Sequence, residues 1–308
     1  MEFQHTSVLL TEAVDALRVE KGGLYVDCTL GGGGHTAEIL RRGGRVIGID
    51  RDGEAIEAAK ARIGANPDFE AVRLNFVSLK AMAEERMIAG RVSGVLFDLG
   101  VSSHQLDDPA RGFSYHADAA LDMRMDTREE LSAAKLVNEA PEEELSRILF
   151  EYGEEKMARA IAKAIVKRRE EKPIGTTSEL AEIIRDAMPP KMRRDKHPAK
   201  RSFQAIRIAV NGELTGLPPA LEAAYEILKP GGRLAVITFH SLEDRIVKNF
   251  FREMERGCTC PPEFPVCVCG KTPRMKSVIR KPLEASEEEL ASNPRARSAK
   301  LRAGEKIK

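Results

Sequence analysis

Val26-Asp27-Cys28-Thr29-Leu30-Gly31-Gly32-Gly33-Gly34-His35-Thr36 is the stretch on which the fold turns. A short apolar run ends on an acid, four glycines follow, and a helix-forming segment begins directly after them. Glycine takes positive φ without a clash and lets backbone N–H groups approach a ligand closely. A tight strand-to-helix turn with no ligand would account for the glycines taken alone. The dinucleotide fingerprint Gly-x-Gly-x-x-Gly fits loosely, because six positions counted from Gly31 end on Thr36, and from Gly32 on Ala37. Ile47-Gly48-Ile49-Asp50 sharpens the reading. Asp50 closes the next strand, where a carboxylate accepts hydrogen bonds from both hydroxyls of an adenosine ribose. Asp27, ahead of the glycines, suits the cationic amino-acid end of S-adenosylmethionine better than a pyrophosphate. Phe76 would pack against adenine, although core packing explains it equally well in isolation. Asp98 ends the fourth strand, where open α/β sheets place ligand contacts.

Outward from this stretch, strands are expected over 24–28, 45–50, 71–74, 94–99 and 233–239, and helices over 36–42, 53–63 and 218–228. This alternation predicts a parallel sheet covered on both faces. Lys229-Pro230-Gly231-Gly232 would stop the last helix and start the last strand. Between about 106 and 201 the pattern changes to amphipathic helices, over 140–152, 156–171 and 177–187. The expectation is an α/β Rossmann-like domain built from 1–108 and 204–308, with an all-helical insertion over 109–203. Beyond about Phe251 the chain reads as loop or a loosely attached basic tail.

Composition narrows the class. Of 308 residues 42% are hydrophobic, enough for a real core, and the net charge of +1 draws in no polyanion as a whole. No apolar run approaches the roughly 20 residues of a membrane helix. The first residues carry acids and lack a basic n-region, so no secretory leader is expected. Five cysteines, four of them crowded together, argue against a secreted disulfide framework. A cytoplasmic location follows, with no membrane partner and no reading of oligomeric state.

Several longer motifs carry more than a fold. They are Gly33-Gly34-His35, Asp98-Leu-Gly-Val-Ser-Ser103-His-Gln-Leu-Asp-Asp108, Arg111-Gly-Phe113, Leu121-Asp-Met-Arg-Met-Asp126, Phe203-Gln-Ala-Ile-Arg207, Phe239-His-Ser-Leu-Glu-Asp-Arg245 and Asn293-Pro-Arg-Ala-Arg297. In this order, from near His5 to near Arg302, they resemble the bacterial small-subunit ribosomal RNA cytosine-N4 methyltransferases, the RsmH or MraW group. The resemblance implies a class I S-adenosylmethionine-dependent fold and N4-methylation of a cytosine in the decoding region of 16S rRNA, near the P site. It places cofactor contacts on Gly33, Gly34, His35, Asp50, Phe76, Asp98 and Gln105.

The N4 amine is a poor nucleophile because its lone pair is delocalised into the ring, so its protons must be held by acceptors in line with the methyl donor. No covalent intermediate is needed, and no catalytic cysteine is expected. Many amino methyltransferases have Asp/Asn/Ser-Pro-Pro-aromatic after the fourth strand, whereas this chain has Asp98-Leu-Gly-Val-Ser-Ser. The expected acceptors are therefore backbone carbonyls after Asp98, with Ser102, Ser103 and His240. The extruded base would stack on Phe113, Tyr115 or Phe239. Phosphates of 16S rRNA, naked or in the small ribosomal subunit, would meet Lys196, Lys200, Arg201, Arg295 and Arg297. The acidic runs 142–144 and 287–289 should stay away from RNA.

Cys258-Thr-Cys260 and Cys267-Val-Cys269 put four thiols within twelve residues. Together they would supply a tetrahedral set for structural Zn²⁺, or remain reduced and unliganded. Two readings compete with the methyltransferase. One is a nicotinamide-dependent dehydrogenase, opposed by Asp27, the loose glycine fingerprint and the lack of a hydride-relay pair. The other is a non-catalytic RNA-binding assembly factor, opposed by the intact loop, Asp50 and Asp98.

Overall fold

The computed structural model describes residues 7–193, 197–261, 266 and 268–308. The chain forms two compact units, Met1–Gly100 with Leu214–Lys308, and Val101–Glu213. The insertion is thus wider than the change of helical pattern indicates, opening at Val101 instead of 109 and closing at Glu213 instead of 203. Among the described residues no helix is long and apolar enough to cross a membrane.

The first unit carries seven strands: β1 (Leu24–Asp27), β2 (Arg45–Asp50), β3 (Phe69–Arg73), β4 (Val92–Asp98), β5 (Leu228–Thr238), β6 (Met275–Ser277) and β7 (Lys300–Lys306). Their order is β3-β2-β1-β4-β5-β7-β6, with β1 to β5 parallel and β7 antiparallel to both of its neighbours. This is a Rossmann-like, mostly parallel α/β sheet. Burial on both faces explains the near-continuous apolar runs of β1 and β4. Alternate residues feed opposite cores. Val26, Phe97 and Val236 join one cluster, and Tyr25, Leu96 and Ile237 the other. The helix Gly53–Ile63 has the bounds its sequence predicts, because Asp52 caps its start and Gly64, at φ 70°, ends it.

Three expectations fail here. The segment after Phe251 is not a loose tail: it returns as β6 and β7, and β7 lies beside β5 in six paired positions from Arg233↔Glu305 to Thr238↔Lys300. The period-two signal in Lys300-Leu-Arg-Ala-Gly-Glu-Lys306 is masked by small residues and charge. Leu301 and Ala303 point into the core, while Arg302 pairs with Asp244 and Glu305 with Arg233. The helix ahead of β5 begins at Glu213 and holds Pro218 and Pro219 inside it, instead of starting there. Lys229-Pro-Gly-Gly lies within β5, where the register against β4 shifts between Val92 and Gly94, so it bulges out of the strand instead of preceding it.

The second unit is helical, with longer helices at Glu142–Gly153, Ala158–Glu171, Thr177–Ala187 and Lys200–Asn211. Leu149, Ile161, Ile165, Leu180, Ile184 and Ile206 form its core. Two of the long motifs serve this scaffold. Asp122 and Arg124 form a paired hydrogen bond, as do Asp126 and Arg128, and the buried Arg111 donates to the carbonyls of Arg124 and Met125. Asn211 clamps the same strip, accepting from the Met125 N–H and donating to the Met123 carbonyl.

Candidate functional site

In the sheet unit the candidate residues gather at the C-terminal ends of β1, β2, β4 and β5, where order reverses around β1. Asp50, at the end of β2, accepts the Gly31 N–H on Oδ2 (2.8 Å) and the Asp52 N–H on Oδ1 (2.9 Å). Each oxygen keeps a second lone pair for a ligand. Gly31 and Gly33 take φ of 51° and 75°, so the loop needs glycine at both. At Gly34 a Cβ would overlap the Ser7 hydroxyl, because the segment Ser7-Val8-Leu9 lies against the loop. His35 is buried, its Nε2 3.1 Å from the Val8 carbonyl and its Nδ1 3.7 Å from Asp98 Oδ2.

Asp27 has a different place from the one its sequence position suggests. It is 1% exposed and accepts the Thr36 hydroxyl (2.7 Å) and the Thr29 N–H (3.2 Å). Both oxygens serve as a latch between loop and helix, and the carboxyl is far less accessible than that of the half-buried Asp50. Burial, assisted by the charge of Asp50, raises its carboxyl to about 6. The folded state therefore favours the neutral acid. Its contribution to stability falls as pH rises through the interval from 3.8 to about 6, and above that the full cost of burying the charge, about 3 kcal/mol, is present. Asp27→Asn removes the ionisation and keeps the latch with one bond reversed, its Oδ1 accepting from the Thr29 N–H and its Nδ2 donating to the Thr36 hydroxyl. The stability difference between variant and wild type, from denaturant unfolding, is expected to grow in the variant's favour from pH 4 to pH 7; an unchanged difference would contradict this.

Asp98 is one of two side chains in this unit with an unsatisfied buried atom among the described residues. Its Oδ1 is buried with no hydrogen-bond partner among the described residues. Its carboxyl is pushed well above the usual range by burial and then by the charges of Asp27, Glu243 and Glu289. Glu289 also accepts the Leu9 N–H (2.8 Å), so this acid of the 287–289 run belongs to the field of the site and is no outlying solvated charge. Its role was not legible, because it depends on a contact between residues 280 positions apart.

His240 sits at the end of β5 as the N-cap of the helix Ser241–Glu255. Its Nδ1 accepts the Glu243 N–H, while the buried Glu243 carboxylate accepts from the Phe239 and His240 N–H groups. An accepting Nδ1 leaves the proton of a neutral imidazole on Nε2. That atom lies 3.1 Å from Glu243 Oε1 but off the direction of a hydrogen bond, and it too is buried without a hydrogen-bond partner. His240 therefore offers a ligand a donor, which corrects its expected role as acceptor for an amine. Glu243 escaped the sequence reading, although the spacing of a capping box was there in His240-Ser-Leu-Glu243. Gly100, at φ 95°, approaches the half-buried Phe239 ring.

In the helical unit, Ser102 and Gln105 form a capping box at the start of Ser103–Asp107, each side chain accepting the other's N–H. The Ser102 hydroxyl is thereby engaged, whereas Ser103 is half-buried in the first turn. Phe113 is 6% exposed and belongs to the hydrophobic core of this unit. Tyr115 is half-buried, stacked on His197 at 4.1 Å and edge-on to Phe203. Lys200 is exposed, and Arg201 donates to the Glu154 carbonyl. Lys196 lies outside the described residues.

Phe76 is 7% exposed, edge-on to Phe97 with the Arg51 guanidinium 5.6 Å from its ring centre. Arg295 and Arg297 are exposed on the short helix Pro294–Ser298. Other tail cations are committed within the protein: Lys271 to Glu253, Arg274 to Glu222, Lys276 to Glu305 and Arg302 to Asp244. Of the four crowded cysteines, Cys258, Cys260 and Cys269 come together, and Cys267 lies outside the described residues.

Comparison with known proteins identifies the family of this chain. The MraW methylase family profile matches residues 2–307. Ribosomal RNA small subunit methyltransferase H of Carboxydothermus hydrogenoformans is 57% identical over 309 residues, covering 100% of this chain and 99% of that one. The protein of the same name from Clostridium botulinum is 56% identical, with 100% of both chains covered. Among solved structures, an rRNA methylase from Streptococcus thermophilus aligns with 98% of each chain at 11% identity and a TM-score of 0.43. On the profile match and the full-length relatives, this chain is a methyltransferase that belongs to the MraW methylase family.

Proposed function

We propose that this chain transfers a methyl group from S-adenosylmethionine to N4 of one cytosine in the decoding region of 16S rRNA, near the P site. The observation that carries the reading is a pair of buried polar atoms without hydrogen-bond partners, Asp98 Oδ1 and His240 Nε2, at the ends of the adjacent strands β4 and β5. Buried polar atoms are nearly always paired, so two orphans at neighbouring strand ends fit a polar ligand. Charge supports the choice of ligand. The groups shifting Asp98 are all carboxylates, which favours a cation over the pyrophosphate of a dinucleotide. The relatives' name supports ribosomal RNA of the small subunit as the acceptor.

S-adenosylmethionine, when bound, supplies a methyl group activated by a positively charged sulfur. In this reading Asp50 holds the ribose hydroxyls with the lone pairs that Gly31 and Asp52 leave open. Gly33, Gly34 and His35 shape the loop side, Phe76 meets the adenine, and Asp98 completes the cofactor contacts of this unit. Backbone carbonyls after Asp98, with Ser103, accept from the N4 amine, and the donor His240 Nε2 holds the acceptor edge of the pyrimidine in line. Tyr115 or Phe239 stacks on the extruded base, while Lys196, Lys200, Arg201, Arg295 and Arg297 meet phosphates in the cytoplasm. The cysteines take no part in the transfer.

Small subunits lacking the modification, and naked 16S rRNA in parallel, test the proposal. Incubation with enzyme and cofactor, digestion to nucleosides and mass spectrometry are expected to show N4-methylcytidine. A methyl group on carbon 5, or none on either substrate, would overturn it. His240→Ala is expected to lower single-turnover rate about 10²-fold with cofactor affinity unchanged. His240→Asn, which keeps a helix cap and a donor, should recover part of that loss.

A further inference from the structure

Between the helix Ser241–Glu255 and β6 the chain makes a loop whose ends are tied, the Arg274 N–H donating to the Met254 carbonyl at 2.8 Å. Within it the sulfur atoms of Cys258, Cys260 and Cys269 lie within 4.8 Å of one another, and none of the three is in a disulfide. Burial does not gather them. Cys258 is exposed, Cys260 and Cys269 are only half-buried, and the neighbouring Val266 and Val268 are 70% and 74% exposed. None of the described residues of 256–274 is buried, so no apolar packing among them accounts for three thiols brought together.

The backbone around the sulfurs is arranged to support thiolates once a metal holds them. Thr259 N–H donates to Cys269 Sγ at 3.4 Å, Cys260 N–H to Cys258 Sγ at 3.4 Å, and Val268 N–H to Cys260 Sγ at 3.3 Å. Each of the three sulfurs thus receives one amide. A neutral thiol is a weak acceptor, whereas a thiolate on a metal is stabilised by such outer-shell donors. Spacing agrees as well. Tetrahedral Zn–S bonds of about 2.3 Å put sulfurs about 3.8 Å apart, and Cys258 Sγ and Cys269 Sγ are 3.7 Å apart.

We propose that Cys258, Cys260 and Cys269 bind one zinc ion, which pins this loop ahead of β6. Thiolates select soft or borderline metals over magnesium or calcium, and a four-coordinate ion without redox chemistry suits a structural clasp. On binding, each coordinating thiol gives its proton to solvent and forms one S–Zn bond, with no change of oxidation state. Cys267 is no part of the assignment. The clasp is independent of methyl transfer, so it stands or falls separately from the proposed reaction.

The test uses the full chain purified without chelators. Elemental analysis is expected to find one zinc per chain, released when a mercurial blocks the thiols and read with a chromophoric chelator. Cobalt replacement should give the sulfur-to-metal charge-transfer band and intense visible bands of a tetrahedral thiolate site. Cys258→Ser and Cys269→Ser should each lower zinc content at least tenfold, while Cys28→Ala, at the buried fifth cysteine, should leave it unchanged. Metal removal should open the loop to proteolysis. The wild-type release and cobalt spectra do not depend on any variant folding. A chain that stays metal-free after incubation with zinc, or one in which Cys258 and Cys269 oxidise to a disulfide at a rate zinc does not alter, overturns the proposal.

Discussion

Asp98→Asn is expected to weaken S-adenosylmethionine binding about 10²-fold, to lower methyl transfer at limiting cofactor by at least as much, and to leave the chain folded. The carboxyl sits in the field of other acids, and its buried Oδ1 has no hydrogen-bond partner among the described residues. Removing a charge-assisted hydrogen bond costs about 1.5–3 kcal/mol, or one to two decades in affinity, before any attraction to a cationic ligand is counted. Folding should not suffer, because the same field that raises this carboxyl makes its ionised form a burden on the native state. Asparagine keeps the shape and drops the charge.

The pH dependence carries a sign that separates this account from a packing effect. With its ionisation displaced upward, Asp98 holds a proton in the ligand-free protein well above the ordinary carboxylate range. Binding a cation must expel that proton. Wild-type affinity is therefore expected to tighten as pH rises, by up to tenfold per unit while the group remains protonated, and to level off once it is ionised in the free protein. Calorimetry across pH 6 to 8 in buffers of different ionisation enthalpy measures both affinity and proton release. Asp98→Asn should abolish the slope. Wild-type affinity in the variant, or an unchanged slope, would remove Asp98 from the site.

A chain ending at Ser298 is expected to lose its cooperative unfolding transition altogether. Those last residues have the composition of a solvated tail, yet they form β7 and lie between β5 and β6. Without them the six positions of β5 paired to β7 lose their ladder, β6 loses its only strand neighbour, and Leu301 and Ala303 leave the core. Ion pairs are broken as well: Asp244 loses Arg302, and Arg233 and Lys276 lose Glu305. Total stabilities of about 5–15 kcal/mol leave no margin for a defect of that size. The graded version is Leu301→Ala. It removes a wholly buried side chain and should cost about 2–5 kcal/mol, read by denaturant unfolding of the full-length protein. Native-like melting of the truncated chain would show that β7 is dispensable.

The parts of the fold legible in the chain were those written in local chemistry. The bounds of β2, of the helix Gly53–Ile63 and of the helix Thr177–Ala187 follow from apolar runs and from caps within a few residues of them. The helix Lys200–Asn211 and the strand β7 were hidden by their charge. Lys200 and Arg201 open the first, and Lys300, Arg302, Glu305 and Lys306 punctuate the second. Charges are taken for solvent-facing until partners such as Asp244 or Arg233 are known, and those partners lie on other elements.

The same division runs through the site. A glycine loop after one strand and acids closing two others need only strand polarity and the freedom of glycine, so the sequence alone determined that Asp50 and Asp98 close strand ends beside that loop. Which groups answer a ligand there was decided by the tertiary structure. Asp27 and Asp98 look alike as strand-end acids, yet Thr36 and Thr29 consume the first while nothing hydrogen-bonds one oxygen of the second. His240 became a donor because Glu243 takes its other nitrogen, and Glu289 reached the field of Asp98 from the far end of the chain. Hydrogen bonding and charge act over a few ångströms of space whatever the distance along the chain, and that proximity exists only once the sheet has closed.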